Sequence, residues 1–216
     1  MTVQAVIFDF GGVFTTSPVE NFAAYEKTHG LPERYLGSVI KQDINNNSWA
    51  QFERGEITLE EFDVRFAEET KAAGHEVSGK TLVGLLSLTF RMPMIDALFK
   101  IKDAGFKTGC ITNNLPDMDS AAMVAASEDK ELSTRIMSSF DHVIESSKAG
   151  IRKPEPKIYQ MMCDALNVPP SACVFIDDLG VNLKPAKAMG MQTIKAPFGD
   201  ISPAIEELAA ATGLAL

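Results

Sequence analysis

Five short segments of this chain are rich in apolar residues, and the stretches between them follow a helical period. The first runs from Ala5 to Val13, apolar except for Asp9 and interrupted by Gly11 and Gly12. A run without polar alternation reads as a strand covered on both faces. Phe106–Ile111, Phe140–Glu145, Ala172–Ile176 and Met191–Lys195 read as four further strands. Between them, Met94, Ile95, Leu98, Phe99 and Lys102 mark a helix that Gly105 ends. Ile158, Met161, Met162, Ala165 and Leu166 mark another, and residues 205 to 211 a terminal one. Residues 116–135 are expected to form short helices near the strand ends. Strands alternating with helices predict an α/β fold, a mostly parallel sheet with helices on both faces.

One stretch breaks the alternation. From about Ser17 to Phe90 no buried-strand run occurs and the helical period takes over. The clearest helix begins at Thr58, where Glu61 three residues on completes a capping box. Leu59, Phe62, Val64 and Phe66 are expected to supply its apolar side. Trp49 and Phe52, before Glu53-Arg54-Gly55-Glu56, read as the corner of a small helical bundle.

The strand ends carry the chemistry. Asp9 closes the first strand, and in open α/β sheets ligands bind beyond the carboxyl ends of the strands. Gly11 and Gly12 let the backbone turn and approach a ligand closely. A second strand ends in Asp177-Asp178, and adjacent carboxylates there are stabilised by a divalent cation such as magnesium. An Asp-Asp turn capping the next helix is the plainer reading of the same residues. Thr112-Asn113-Asn114 ends a third strand with hydroxyl and N–H donors suited to phosphate oxygens, or forms an ordinary loop. Lys153, between Arg152 and Pro154, either neutralises Asp9 together with a phosphate or is a solvated turn lysine. Arg54 reads as a solvated helix-end residue, with a reach toward the site as the alternative.

In order, Asp9, Thr112, Lys153 and Asp177-Asp178 resemble the motif set of the haloacid dehalogenase superfamily. Lys153–Tyr159 and Phe175–Ala186 look like the phosphatase domains found at the N-terminus of soluble epoxide hydrolase and fused to some acyl-CoA dehydrogenases. The resemblance spans nearly the whole chain. It implies a Rossmann-like α/β core at residues 1–16 and 91–216, with a small all-helical cap domain at 17–90 inserted after the first strand. It also implies a Mg2+-dependent phosphatase acting on a small phosphorylated substrate, with Asp9 as nucleophile. Asp9, the Gly11 carbonyl and Asp178 would then hold the metal, with Asp177 behind them. Thr112, Asn113, Lys153 and Gly12 would line the phosphate. Phosphatases of this family usually carry a second Asp two residues after the nucleophile, as general acid and later as base for water; this chain has Gly11. The departure supports one alternative, a phosphate-binding regulatory module without turnover; the resemblance to the superfamily itself raises another, a dehalogenase. Dehalogenases of the family use the same Asp on carbon without magnesium, so Asp177-Asp178 counts against that reading.

The bulk numbers narrow the partners. At 216 residues there is room for one sizeable core and a smaller module. A net charge of −9 argues against a nucleic-acid surface and requires a phosphorylated substrate to be attracted locally. Cys110, Cys163 and Cys173, at unrelated spacings in apolar settings, read as buried free thiols of a reducing compartment. No leader-like or membrane-length apolar segment is present, so a cytoplasmic protein without membrane association is expected. Oligomeric state is not legible.

Overall fold

In the first strand, β1 (Ala5–Phe8), every residue is buried because alternate side chains enter different cores. A computed structural model describes residues 2–86, 89–114 and 130–216 of the chain. After β1 come five helices: α1 (Pro18–Thr28), α2 (Tyr35–Lys41), α3 (Ser48–Glu53), α4 (Leu59–Ala72) and α5 (Gly79–Gly84). Then α6 (Met92–Asp103) leads to β2 (Lys107–Thr112), α7 (Lys130–Ser138), β3 (His142–Glu145) and α8 (Ser146–Ala149). The chain continues with α9 (Pro156–Leu166), a 3-10 turn, β4 (Cys173–Asp177), α10 (Gly180–Ala188), β5 (Gln192–Lys195) and α11 (Ser202–Thr212).

The five strands form one parallel sheet in the order β3-β2-β1-β4-β5. On one face Ala5, Ile7, Ile111 and Phe175 pack under Ile158, Tyr159 and Met162 of α9. On the other, Val6, Phe8, Cys110 and Ile176 pack under Met94, Leu98 and Ile101 of α6 and Leu208 of α11. Both faces being covered explains why β1 and β4 read as continuous apolar runs, whereas the edge strands β3 and β5 each bury one residue fully and are mixed in polarity. The predicted Rossmann-like α/β arrangement is what the chain adopts. Cys110, Cys163 and Cys173 are free and buried within these two cores.

Helices α1–α5 share a separate core that includes Phe22, Leu36, Phe52, Phe62, Phe66 and Leu82. Phe52 stacks on Phe62 with centroids 4.6 Å apart, and Trp49 meets Phe62 edge-on at 5.8 Å. The capping box forms: Glu61 N donates to Thr58 Oγ1 (3.2 Å) and Thr58 N to Glu61 Oε2 (2.8 Å). Val64 does not belong to the apolar side of α4; it is 59% exposed. It lies two residues from both Phe62 and Phe66, and residues two apart on a helix do not share a face. Two linkers join this helical insert to the sheet, with an isolated bridge between Thr15 and Phe90 and a bond from Thr16 N to Thr89 O (2.8 Å). Of the helices expected over 116–135, residues 116–129 lie outside the described residues, and α7 begins at Lys130. Among the described residues no helix is long and apolar enough to cross a membrane.

Candidate active site

Parallel register brings two of the acids side by side. Phe8 pairs with Ile176 of β4 and with Cys110 of β2, so Asp9 and Asp177 leave the sheet at one level and Thr112 emerges one residue further along. Asp9 N donates to Ile176 O (2.8 Å), which continues the ladder as far as the acid, and Phe10 N then donates to Asp9 Oδ1 (2.7 Å).

Lys153 reaches this edge from the loop between α8 and α9. Its side chain is 1% exposed, and its Nζ lies 2.7 Å from Asp9 Oδ1 and 2.8 Å from Asp177 Oδ2. The backbone is fixed as well: Lys153 N donates to Asn113 Oδ1 (2.9 Å), and Asn113 Nδ2 donates to Lys153 O (3.0 Å). The Asn113 amide therefore ties the β2 end to the lysine loop. Pro156 at the first turn of α9 lets a helix start immediately behind that loop.

Asp177 is fully enclosed, and protein donors occupy both its oxygens. Leu179 N (2.8 Å) and Asn182 Nδ2 (3.0 Å) donate to Oδ1; Asn182 Nδ2 (3.0 Å) and Lys153 Nζ donate to Oδ2. Asn182 was not assigned a role from sequence. Its place in the first turn of α10 was the available signal, since helical side chains tilt toward the N-terminus and so toward the strand end. Tyr159 Oη donates to Asn182 O (2.8 Å) and steadies that turn.

Asp178 has a different neighbourhood. Ser17 Oγ donates to its Oδ2 at 3.0 Å. Ser17 stands where an N-cap residue would, before Pro18 of α1, yet it makes no capping bond. Nothing in the local sequence separates that use of a serine from an ordinary cap. Gly12 passes so close to Asp178 that an added Cβ would lie 2.4 Å from its Cγ, and Gly12 has φ +77°. Gly11 is the opposite case: it is absent from the positive-φ glycines, and an added Cβ meets no atom within 4 Å.

Asp9, Asp177 and Asp178 each offer an oxygen within 4.8 Å of the others, all buried. Fully ionised, three carboxylates facing one ammonium carry an excess of two negative charges. Burial raises the Asp9 carboxyl well above the usual carboxylate range; Lys153 opposes this, while Asp177 and Asp178 add to it. Burial, with Asp177 beside it, pushes Asp178 up to about 6 against the Ser17 bond. Burial alone would lower Lys153, but Asp177 and Asp9 outweigh it and keep the amine protonated. This surplus of buried negative charge on hard oxygen donors fits a divalent cation such as Mg2+.

Arg54 does not reach the site. It ends α3, pairs with Glu56 (Nε–Oε1 2.7 Å) and donates to Asn45 O (2.8 Å), and its side chain is largely covered. The helix-end reading was right, and solvation was the error. Glu53 beside it is buried against Arg152, and burial lifts its carboxyl to about 7 despite Arg152 and Lys153.

Residues 3–190 match the family model of haloacid dehalogenase-like hydrolases. The chain is 33% identical over 228 residues to bifunctional epoxide hydrolase 2 of Sus scrofa, covering all of this chain and 40% of that protein. It is 34% identical over 221 residues to acyl-CoA dehydrogenase family member 10 of Mus musculus, covering 99% of this chain and 19% of that one. The chain thus spans less than half the length of these two relatives. Sesquiterpene phosphatase astK of Aspergillus oryzae is 28% identical over 193 residues, 88% of each chain. Among solved structures, a HAD family enzyme of Bacteroides thetaiotaomicron in its magnesium complex has a similar fold. Its TM-score is 0.61 at 20% identity, over 93% of this chain and 96% of that one.

Proposed function

The chain belongs to the haloacid dehalogenase-like hydrolases, and from that premise we propose that it is a Mg2+-dependent phosphatase of a small phosphorylated metabolite. The observation that carries the reading is Lys153 Nζ, buried between Asp9 Oδ1 and Asp177 Oδ2 beside a third acid, Asp178. A buried lysine held by two carboxylates, with a third left over, suits a site that admits a cation and a phosphate together. A relative with phosphatase in its name supports the same class.

In this mechanism Asp9 attacks phosphorus in line, forming an aspartyl-phosphate as the ester oxygen leaves, and water then hydrolyses it. Carboxylates are modest nucleophiles, so positioning and charge neutralisation carry most of the barrier reduction. Asp9, Asp178 and the Gly11 carbonyl would hold Mg2+, which when bound neutralises phosphoryl charge and orients its oxygens. Asp177, its oxygens taken by Lys153, Asn182 and Leu179 N–H, acts from behind. Thr112, the backbone N–H groups of Asn113 and Gly12, and Lys153 receive the equatorial oxygens as charge shifts in the transition state. Gly12 leaves its peptide open to that approach. The helical insert at 17–90 serves as a cap, excluding water and selecting the substrate. The mechanism calls for neither nucleic acid nor membrane.

The test is a panel of phosphate esters assayed with Mg2+, with a chelator added, and with Asp9→Asn as the blank. Hydrolysis that needs both Mg2+ and Asp9 is expected. Chelator-resistant dehalogenation of 2-haloacids without ester hydrolysis would replace the reading. Phosphate binding with no turnover on any ester would make the chain a binding module.

A further inference from the structure

Lys153 is held at both ends of its side chain, yet its loop has no regular secondary structure to fix it. The neighbouring residue supplies a second anchor. Arg152 turns away from the acid cluster and into the helical insert, where Nη1 donates to Ile44 O (2.8 Å) and Nη2 pairs with Glu53 at the end of α3. Both side chains of this pair are more than nine-tenths buried. The same corner of the insert rests on the core at two more points. Ser146 Oγ donates to Glu53 O (2.6 Å), and Gly55, at φ +71°, lies so close to Ser147 that an added Cβ would be 2.9 Å from its carbonyl oxygen. Asn114 N in turn donates to Ser146 Oγ (3.1 Å), which joins this contact to the end of β2.

We infer that Arg152 is a positioning residue: through Glu53 and Ile44 it ties the seating of the insert to the placement of Lys153. Adjacent residues of one short loop serve two bodies. The insert holds Arg152, and the acid cluster and Asn113 hold Lys153. Lifting α3 breaks the Arg152 contacts and leaves the loop that aims the lysine held from the core side alone, through Asn113. Closure of the insert over a substrate then completes the electrostatic site instead of merely covering it. A buried ion pair is suited to such a latch, because losing one partner leaves an uncompensated charge and so makes the seated state all-or-none.

The inference rests on the phosphatase reading, so its test separates the two. Hydrolysis of p-nitrophenyl phosphate with Mg2+ is compared in the wild type, Arg152→Met, Lys153→Ala and the double variant. Arg152→Met is expected to lower kcat by about tenfold or more in the wild type and by less than about twofold when Lys153 is already gone, because neighbours acting as one unit are non-additive. Arg152→Lys should recover part of the loss, and Glu53→Gln should reproduce it more mildly. A full tenfold loss in both backgrounds, or in neither, overturns the positioning role. Unchanged hydrolysis in Lys153→Ala overturns the phosphatase reading instead. A readout independent of activity decides the inference in that event: reductive methylation of Lys153, followed by peptide mass spectrometry. Lys153 is 1% exposed and should resist modification in the wild type but react in Arg152→Met and Glu53→Gln. Equal protection in all three proteins contradicts the inference. If Arg152→Met does not fold, Glu53→Gln carries both measurements.

Discussion

Replacing Gly11 with Asp should supply the carboxyl proton donor that position 11 lacks. The backbone permits it, since Gly11 is not among the positive-φ glycines and an added Cβ meets nothing within 4 Å. At a compatible position, replacing glycine also removes freedom from the unfolded chain, a gain of about 0.4–1 kcal/mol. Against this stands charge. A fourth carboxylate would be repelled by the buried acids, and a single pair separated by about 6 Å would cost about 3 kcal/mol at an effective dielectric of 20. The variant is therefore expected to be no more stable than the wild type without metal, and to hold its new proton firmly, as a general acid should. General acid catalysis contributes roughly 10²–10⁴ when the leaving group is poor and little when it departs unaided. Gly11→Asp should accordingly raise kcat/KM for simple alkyl phosphates by about 10² or more and change kcat/KM for p-nitrophenyl phosphate by less than about threefold. The assay is phosphate release across esters of graded leaving-group pKa, for both proteins. In kcat/KM, which reports the first step, the wild type should show a steep dependence on leaving-group pKa and the variant a shallow one. A flat wild-type series, with chemistry shown to be rate-limiting, or a folded variant with no gain on alkyl esters, would refute the reasoning, because the proton would then come from elsewhere.

Lys153→Ala should cost on the order of 10²–10³ in kcat, whereas Lys157→Ala and Lys148→Ala should change it little; equal effects would mean the wrong lysine was chosen. Gly12→Ala combines a left-handed backbone angle with an overlap onto Asp178 at 2.4 Å. It should destabilise the fold by at least about 1–2 kcal/mol and abolish Mg2+-dependent hydrolysis, measured by thermal unfolding and by assay. Burial raises Glu53 from an ordinary 4.5 to about 7, so the folded state holds that proton more tightly than the unfolded chain. Stability should consequently fall as pH rises through this window, by about 3 kcal/mol more in the wild type than in Glu53→Gln, in denaturant titrations at pH 4.5 and 8.

What could be read from sequence alone divides along a physical line. The central strands β1 and β4 were legible because a strand covered on both faces leaves no polar alternation, as Val6 and Ile7 show by facing opposite cores. The convergence of Asp9, Thr112 and Asp177-Asp178 was legible because strand ends in a parallel sheet meet at one edge; Lys153 lies in a loop between two helices, and only the family resemblance pointed to it. The capping box at Thr58 was legible because its partners are three residues apart. Partnerships across the chain were not. Ser17 meets Asp178 across 161 residues, and Arg152 meets Glu53 across 99, with no local pattern in either segment to announce the other. Val64 was misread because apolarity was counted without angle; its neighbours Phe62 and Phe66 are four apart and face the insert core, and it is not.

The central claim is that Asp9 carries the phosphoryl group during turnover. Without a carboxylate at position 11 to activate water, the second step should be slow and the intermediate should accumulate. Protein mixed with Mg2+ and p-nitrophenyl phosphate, quenched in acid at short times and digested, should show a phosphoryl adduct on the peptide containing Asp9. The adduct should vanish with a chelator or in Asp9→Asn, and decay faster in Gly11→Asp. Product formation without that adduct at any time, or an adduct on another residue, would contradict the account.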